Sequence, residues 1–345
     1  MSQDPVSSAA DFEWCHDILG DVSRTFALSI PRYEDPMQDE LCVGYLLCRV
    51  ADTIEDARHV PPGEKKRLLD QYREALDPES EVTASDFTAR ARRHVPEDSD
   101  DEWRLVARTP RLLATFESLP ASSKREIRPR VEEMIRGMAL FVDRYEEQGG
   151  LRIQTLDELE EYCWYVAGTV GELITGLITR DVHSDLESRL METAPSFGLL
   201  LQLVNVTKDI ATDYEEEDNV YVPEALLAKH DLDQEDIGDA SQSDAFVPVV
   251  RELANEAEQH IDDARAWLDA TPERRGNTLV ACALPFLLAV GTLRELKSRP
   301  ADVIRKGDVK VSRSEVFAVI AAFSGDEKPS LETLQAEIQA GPYSG

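Results

Sequence analysis

Four aspartates in two pairs carry the first chemical signal in this chain: Asp52 with Asp56, and Asp209 with Asp213. A spacing of four residues puts two carboxylates one turn apart on one face of a helix. On an α-helix, Tyr45, Arg49, Asp52 and Asp56 fall within an arc of about 60°. Gln202, Asn205, Asp209 and Asp213 share an arc of about 80°. Mg²⁺ is a hard ion that takes a few carboxylates and completes its octahedron with phosphate oxygens. Two facing helices, each with such a pair, can hold it between them and a diphosphate. It then acts as a Lewis acid on the leaving group. Either stripe alone is equally the solvated face of an amphipathic helix in an acid-rich chain. Against that, like charges at this spacing carry a small cost. Both pairs also sit in strongly apolar segments, which need no extra solubility.

The elements that must position these residues read as helices throughout. Apolar residues recur with helical periodicity, and no run alternates as a strand would. Helices are expected over roughly 10–29, 37–58, 63–76, 101–118, 122–148, 155–180, 184–214, 243–270, 276–298 and 313–323. Val43, Leu46, Leu47, Val50 and Ile54 lie opposite the first acid stripe, and Leu199, Leu203, Val206 and Ile210 opposite the second. Pro61-Pro62-Gly63, Pro120, Gly149-Gly150, Pro272 and Pro300 mark joints. The polar segments 77–100 and 229–244 read as loops. Residues 1–325 read as one catalytic domain, and 326–345 as a flexible tail.

The chain has 345 residues, 68 acidic against 37 basic, for a net charge of −31. Such a surface repels nucleic acid and anionic membranes. It suits a protein adapted to high salt, where screening removes the self-repulsion. Five cysteines without a CxxC pair argue against a disulfide framework and for a reducing, cytoplasmic compartment. The N-terminus lacks the basic and apolar regions of a signal peptide. The apolar run Leu279 to Leu293 holds Pro285 and is too short for a membrane span, so no transmembrane segment is expected. Were its substrate or product a lipid, the protein would have to exchange it by transient membrane contact.

Four stretches then acquire a common meaning. Asp52-Thr-Ile-Glu-Asp56 and Asp209-Ile-Ala-Thr-Asp213 resemble the two aspartate-rich motifs of the squalene/phytoene synthase family. Ser23-Arg-Thr-Phe26 resembles its N-terminal element, and Tyr162-Cys-Trp-Tyr-Val-Ala-Gly-Thr-Val-Gly171 its central signature. The resemblance implies the all-α class I isoprenoid (terpenoid) synthase fold, with helices around a central cavity. It implies head-to-head coupling of two prenyl diphosphates and dependence on Mg²⁺. Carried over residue by residue, Asp52, Asp56, Asp209 and Asp213 are the metal ligands. Ser23, Arg24, Arg49, Lys208, Gln202 and Asn205 handle diphosphate. Tyr45, Arg49 and Tyr162 stand at the reacting centre, with Tyr162 the candidate for proton transfer.

Three departures bear on the grip of the second diphosphate. Lys208 stands where the family carries Arg, which keeps the charge but loses the bidentate fork. Thr212 stands where an acid is common, and Asn219 where a base is common. Residues 294–313 hold seven Lys/Arg and three Asp/Glu, a basic island in an acidic chain. Within it, Val303-Ile-Arg-Lys-Gly307 resembles a segment of the squalene synthases, as do Cys282-Ala-Leu-Pro285 and Gly291-Thr-Leu293. That branch uses two farnesyl diphosphates and NADPH, which Arg305 and Lys306 are expected to contact. Phytoene or dehydrosqualene synthases, which need no reductant, are the alternative. A non-catalytic scaffold of the same fold is a further one, opposed by the presence of all four aspartates.

Overall fold

The computed structural model describes residues 9–23, 25–98, 100–181, 184–272, 278–307, 309–323 and 329–345. Among them every regular element is a helix, and the one β-bridge joins Arg152 to Val220. Long helices pack around one central space: Met37–Glu55, Ala121–Arg144, Thr169–Thr179, Ser184–Lys208 and Thr278–Ser298. Their apolar faces merge into a single buried core, which hydrophobic burial drives together. Met37–Glu55 buries Val43, Leu46, Leu47, Val50 and Ile54, the face opposite its acid stripe.

Two helices approach backbone to backbone, and glycine permits it. A Cβ on Gly171 would lie 2.2 Å from the Ala194 carbonyl oxygen, and one on Gly198 2.1 Å from that of Ala167. This contact locks Thr169–Thr179 against Ser184–Lys208, the helix that leads into the second aspartate motif.

Several expected boundaries move. The helix expected over 10–29 ends at Val22, and a separate turn of helix runs Phe26–Ser29. The span 101–118 divides into Asp101–Val106 and Thr109–Ser118, and 243–270 into Val247–Gln259 and Ile261–Ala270. The loop expected over 77–100 contains the helix Ala84–Ala91. There Thr83 and Asp86 form a reciprocal capping box and Phe87 is fully buried.

The tail expected to be flexible is corrected by the structure. Leu331–Ala340 is a helix that buries Leu334 and Ile338 against Thr278–Ser298. Arg294 fastens it, donating to the carbonyls of Ile338 and Gly341 at 2.7 and 2.8 Å while pairing with buried Glu315. The sequence hid this anchor because its apolar residues are few and its partners lie on other helices.

Among the described residues, Thr278–Ser298 alone is long and apolar enough to cross a membrane. It is a core helix: 78% of its most apolar stretch is buried inside the protein. Pro285 sits within it rather than ending it. All five cysteines are buried and free.

Candidate active site

The two aspartate pairs come together. Asp52, Asp56, Asp209 and Asp213 all line one central cavity of about 390 Å³. Much of the rest of its lining is apolar, Leu41, Met134, Met138, Leu173, Ile174, Phe197 and Leu201 included. The size and the mixture of an apolar body with a polar end are those of a small-molecule site.

The first pair closes the helix Met37–Glu55. Asp56 is its C-cap residue, and its amide donates to the Asp52 carbonyl at 2.9 Å. Arg49, one turn back, pairs with Asp52 at 3.8 Å and with Glu102. The second pair is built differently from the unbroken helix expected over 184–214. That helix stops at Lys208, and Asp209 leaves helical geometry. A π-helical turn over Asp213–Glu217 follows and ends at Asp218 in the left-handed region, φ 61°. The Asp213 amide still donates to the Asp209 carbonyl at 2.8 Å, so the pair keeps its one-turn spacing. A second π-helical turn, Trp164–Gly168, follows Tyr162. Such wide turns are rare and concentrate at functional sites.

Electrostatics report how close the motifs are. Burial lifts Asp52 from 3.8 to about 7, with Arg49 pulling it down and Asp56 and Glu102 pushing it up. Burial also lifts Asp213, to about 8, helped by Asp209 and, across the cavity, by Asp56. Asp56 is raised by burial, against the pull of Arg49 and Lys65. These acids repel one another across a small space, and a cation between them relieves that repulsion.

Two further acids enter the cavity that the sequence did not single out. Glu55 is buried, and its Oε1 has no hydrogen-bond partner among the described residues. Glu217 is raised by burial, then by Asp56 and Asp213. The signal for Glu217 was its spacing, four residues beyond Asp213 and continuing that stripe. Glu55 lies off the first stripe, and only packing turns it inward. The donors on offer are hard carboxylate oxygens, and one is orphaned, so the residues fit Mg²⁺. Among the described residues no three acidic, His or Cys side chains gather tightly enough to hold an ion unaided. That suits a metal that takes one or two carboxylates at a time and fills its shell from water and substrate.

Tyr162 is buried in a hydrogen-bond chain. Its hydroxyl donates to Glu55 Oε2 at 3.1 Å and lies 3.2 Å from the Tyr221 hydroxyl. Asn219 Nδ2 donates onward to the Tyr221 hydroxyl and to Glu217 Oε2, both at 3.3 Å. The chain thus ties the end of one motif to the end of the other. Asn219 also accepts the Leu151 amide at 3.0 Å, so its place is structural and uncharged. Tyr221 was not anticipated, because nothing in its local sequence marks it.

Other expected residues divide into two groups. Tyr45, Gln202, Asn205 and Lys208 line the cavity, and Lys208 pairs with Asp209. Tyr45 is pushed by burial to about 12 and its ring packs on Phe26 at 5.0 Å. Ser23 does not line the cavity; its Oγ accepts the Phe26 amide at 3.1 Å and so shapes the turn that brings Phe26 there. Arg24 lies outside the described residues.

Arg305 and Lys306 do not line the cavity either. Arg305 donates to Ser243 Oγ at 3.1 Å and Asp244 Oδ1 at 3.2 Å, and Lys306 pairs with Asp302 at 3.0 Å. Their helix, Asp302–Lys306, packs beside the second motif: a Cβ on Gly307 would lie 3.4 Å from Thr212 Oγ1. The basic island is largely neutralised by acids of its own surroundings, Glu258, Glu295 and Glu315 included.

Comparison with known proteins agrees with this geometry. The family model for squalene/phytoene synthase matches residues 19–315. A presqualene diphosphate synthase of Botryococcus braunii is 27% identical, over 86% of this chain and 69% of its own. A squalene synthase of Mus musculus is also 27% identical, over 93% and 71%. In fold, the chain superposes on TcSQS in complex with a ligand with TM-score 0.75 at 24% identity, covering 96% and 97% of the two chains. A dehydrosqualene synthase gives TM-score 0.62 at 20% identity, again over 96% and 97%. With both aspartate motifs facing one cavity and the family match spanning most of its length, the chain belongs to the squalene/phytoene synthase family.

Proposed function

We propose that this chain is a squalene synthase, joining two farnesyl diphosphates head to head into presqualene diphosphate and reducing that with NADPH to squalene. The observation that carries the prenyl-transfer half is one cavity lined both by the four aspartates and by apolar side chains. Asp52, Asp56, Asp209 and Asp213 would hold Mg²⁺, which supplies Lewis-acid charge to the departing diphosphate. Arg49 and Lys208 bind diphosphate oxygens, Arg49 as a planar fork and Lys208 as a point charge. The wall of Leu173, Ile174 and Leu201 seats the prenyl chains and keeps water from the allylic cation. Tyr162 takes the proton lost on ring closure as its own hydroxyl proton passes to the Glu55 carboxylate it donates to, with Tyr221 beside it.

The reductive half is supported by the resemblance of Val303–Gly307 and by the place of that segment beside the second motif. A reading without NADPH, as a dehydrosqualene or phytoene synthase, is favoured by the ion pairs that already occupy Arg305 and Lys306.

The assay is direct. Purified protein is incubated with farnesyl diphosphate and Mg²⁺, with and without NADPH. Squalene formed only with NADPH is the expected outcome. Dehydrosqualene made regardless of NADPH, or phytoene made only from geranylgeranyl diphosphate, overturns the squalene reading. No product from any prenyl diphosphate overturns the catalytic one.

A further inference from the structure

The charge around the cavity is unbalanced. Among the described residues six carboxyl side chains line it, Asp52, Glu55, Asp56, Asp209, Asp213 and Glu217, against two cations, Arg49 and Lys208. Both cations already pair with carboxylates, Arg49 with Asp52 and Glu102, and Lys208 with Asp209. Mg²⁺ at the aspartates would offset part of this charge, and a guanidinium at the rim would add a direct grip on the diphosphate.

One guanidinium is placed to give it. Arg58 follows Asp56 by two residues, in the turn that ends the first motif. Its Nη1 donates to the backbone carbonyl of Glu215, two residues beyond Asp213 in the second. Arg58 therefore spans the ends of both motifs at the protein surface, and its side chain is exposed. Its neighbours on the same loops are committed elsewhere. Lys65 is buried with its Nζ on the Glu55 carbonyl at 2.5 Å, and Arg152 pairs with Asp218 at 2.6 Å. Arg58 instead bonds a neutral carbonyl. Among the described residues no carboxylate pairs with it, and the donors of its fork beyond that bond stay available to a new acceptor.

We propose that Arg58 is a diphosphate-binding residue, which leaves the Glu215 carbonyl and closes its fork on the substrate's diphosphate at the cavity mouth. Guanidinium is suited to this exchange, because its planar donors match phosphate oxygens two at a time. A single bond to a neutral carbonyl is given up for a two-pronged pair with an anion, and the arm that linked the two motif ends then links each to the substrate. The proposal rests on the reading of the cavity as a prenyl-diphosphate site, and its test separates the two.

The probe is inorganic pyrophosphate with Mg²⁺, titrated calorimetrically into the full chain and into the Arg58→Gln and Arg58→Lys variants. Wild type is expected to bind it, Arg58→Gln about 10-fold or more weaker, and Arg58→Lys in between. Farnesol, which has the chain but no diphosphate, is expected to bind all three alike. Because Arg58 is exposed, the variants should fold as wild type does, checked by circular dichroism and thermal melts. Pyrophosphate affinity unchanged in Arg58→Gln overturns the proposal while leaving the site reading intact. Equal loss of farnesol affinity also overturns it, since the effect would then be on the cavity as a whole. Failure of wild type to bind pyrophosphate sinks the site reading and the proposal with it.

Discussion

At the scale of single residues, the site is a collection of groups held where they are unfavourable. Asp52 and Asp213 are lifted by burial and by nearby carboxylates, and Glu55 has one oxygen without a hydrogen-bond partner among the described residues. Groups kept at such a cost mark function more often than stability. Removing one of the charges should therefore move activity and stability in opposite directions. Asp52→Asn is expected to lower product formation by about 100-fold or more, measured as steady-state turnover of farnesyl diphosphate. The same variant, free of metal at pH 8, is expected to melt at a higher temperature than wild type. An Asp52→Asn protein that keeps full turnover, or that is less stable without metal, counts against the shared acidic site. The stripes Tyr45–Asp56 and Gln202–Asp213 were legible from spacing alone. Glu55 and Tyr221 were not, since their roles come from a hydrogen bond between hydroxyl and carboxylate 107 positions apart and a second between two tyrosines.

At the scale of elements, helices were legible wherever a long apolar face repeated, as in Met37–Glu55 and Ala121–Arg144. Short helices were not. Ala84–Ala91 depends on one capping box and one buried Phe87, and Leu331–Ala340 on two buried residues and a borrowed arginine. The π-helical turns were invisible as well, because the same residues satisfy an α-helical pattern until packing chooses the wider ring. Arg294 is the element-scale test. It pairs with Glu315, which is 3% exposed, and binds two carbonyls at the end of the last helix. Arg294→Met would strand the Glu315 carboxylate. The expected loss is about 3–5 kcal/mol in denaturant unfolding. Residues 331–345 should then be cleaved early in limited proteolysis. A variant with wild-type stability and an uncut C-terminus would show that this helix is held by its apolar contacts alone.

At the scale of the whole molecule, the dominant fact is charge, −31 over 345 residues. The buried acids add a pH dependence whose sign follows from linkage. Asp52 and Asp213 bind protons more tightly in the folded chain than at their ordinary value of 3.8. Their contribution to stability is present in full below that value and is lost as pH rises through about 7 and 8. Carboxyls shifted the other way, such as Glu315 under Arg294, act below their ordinary 4.5. The metal-free protein is therefore expected to melt at a lower temperature at pH 8.5 than at pH 5. Molar KCl should raise both melting points by screening surface repulsion, yet leave much of the difference, because buried charges are screened less. Mg²⁺ with pyrophosphate should recover the alkaline loss by binding only the folded state. A melting temperature flat or rising from pH 5 to 8.5 would contradict the burial of these aspartates together.

The helical class, the two acid stripes, their one-turn spacing and the family they resemble are legible from residue order. Each of these is a local property, set by periodicity and by neighbours within a turn or two. Helix packing set the rest: the stripes face one another, Glu55 and Glu217 join them, and Arg305 and Lys306 turn to acids outside the cavity. It also decided that Arg58 reaches across from one motif to the other. Those outcomes depend on contacts between residues far apart in the chain, where helix packing, not spacing, sets the distance.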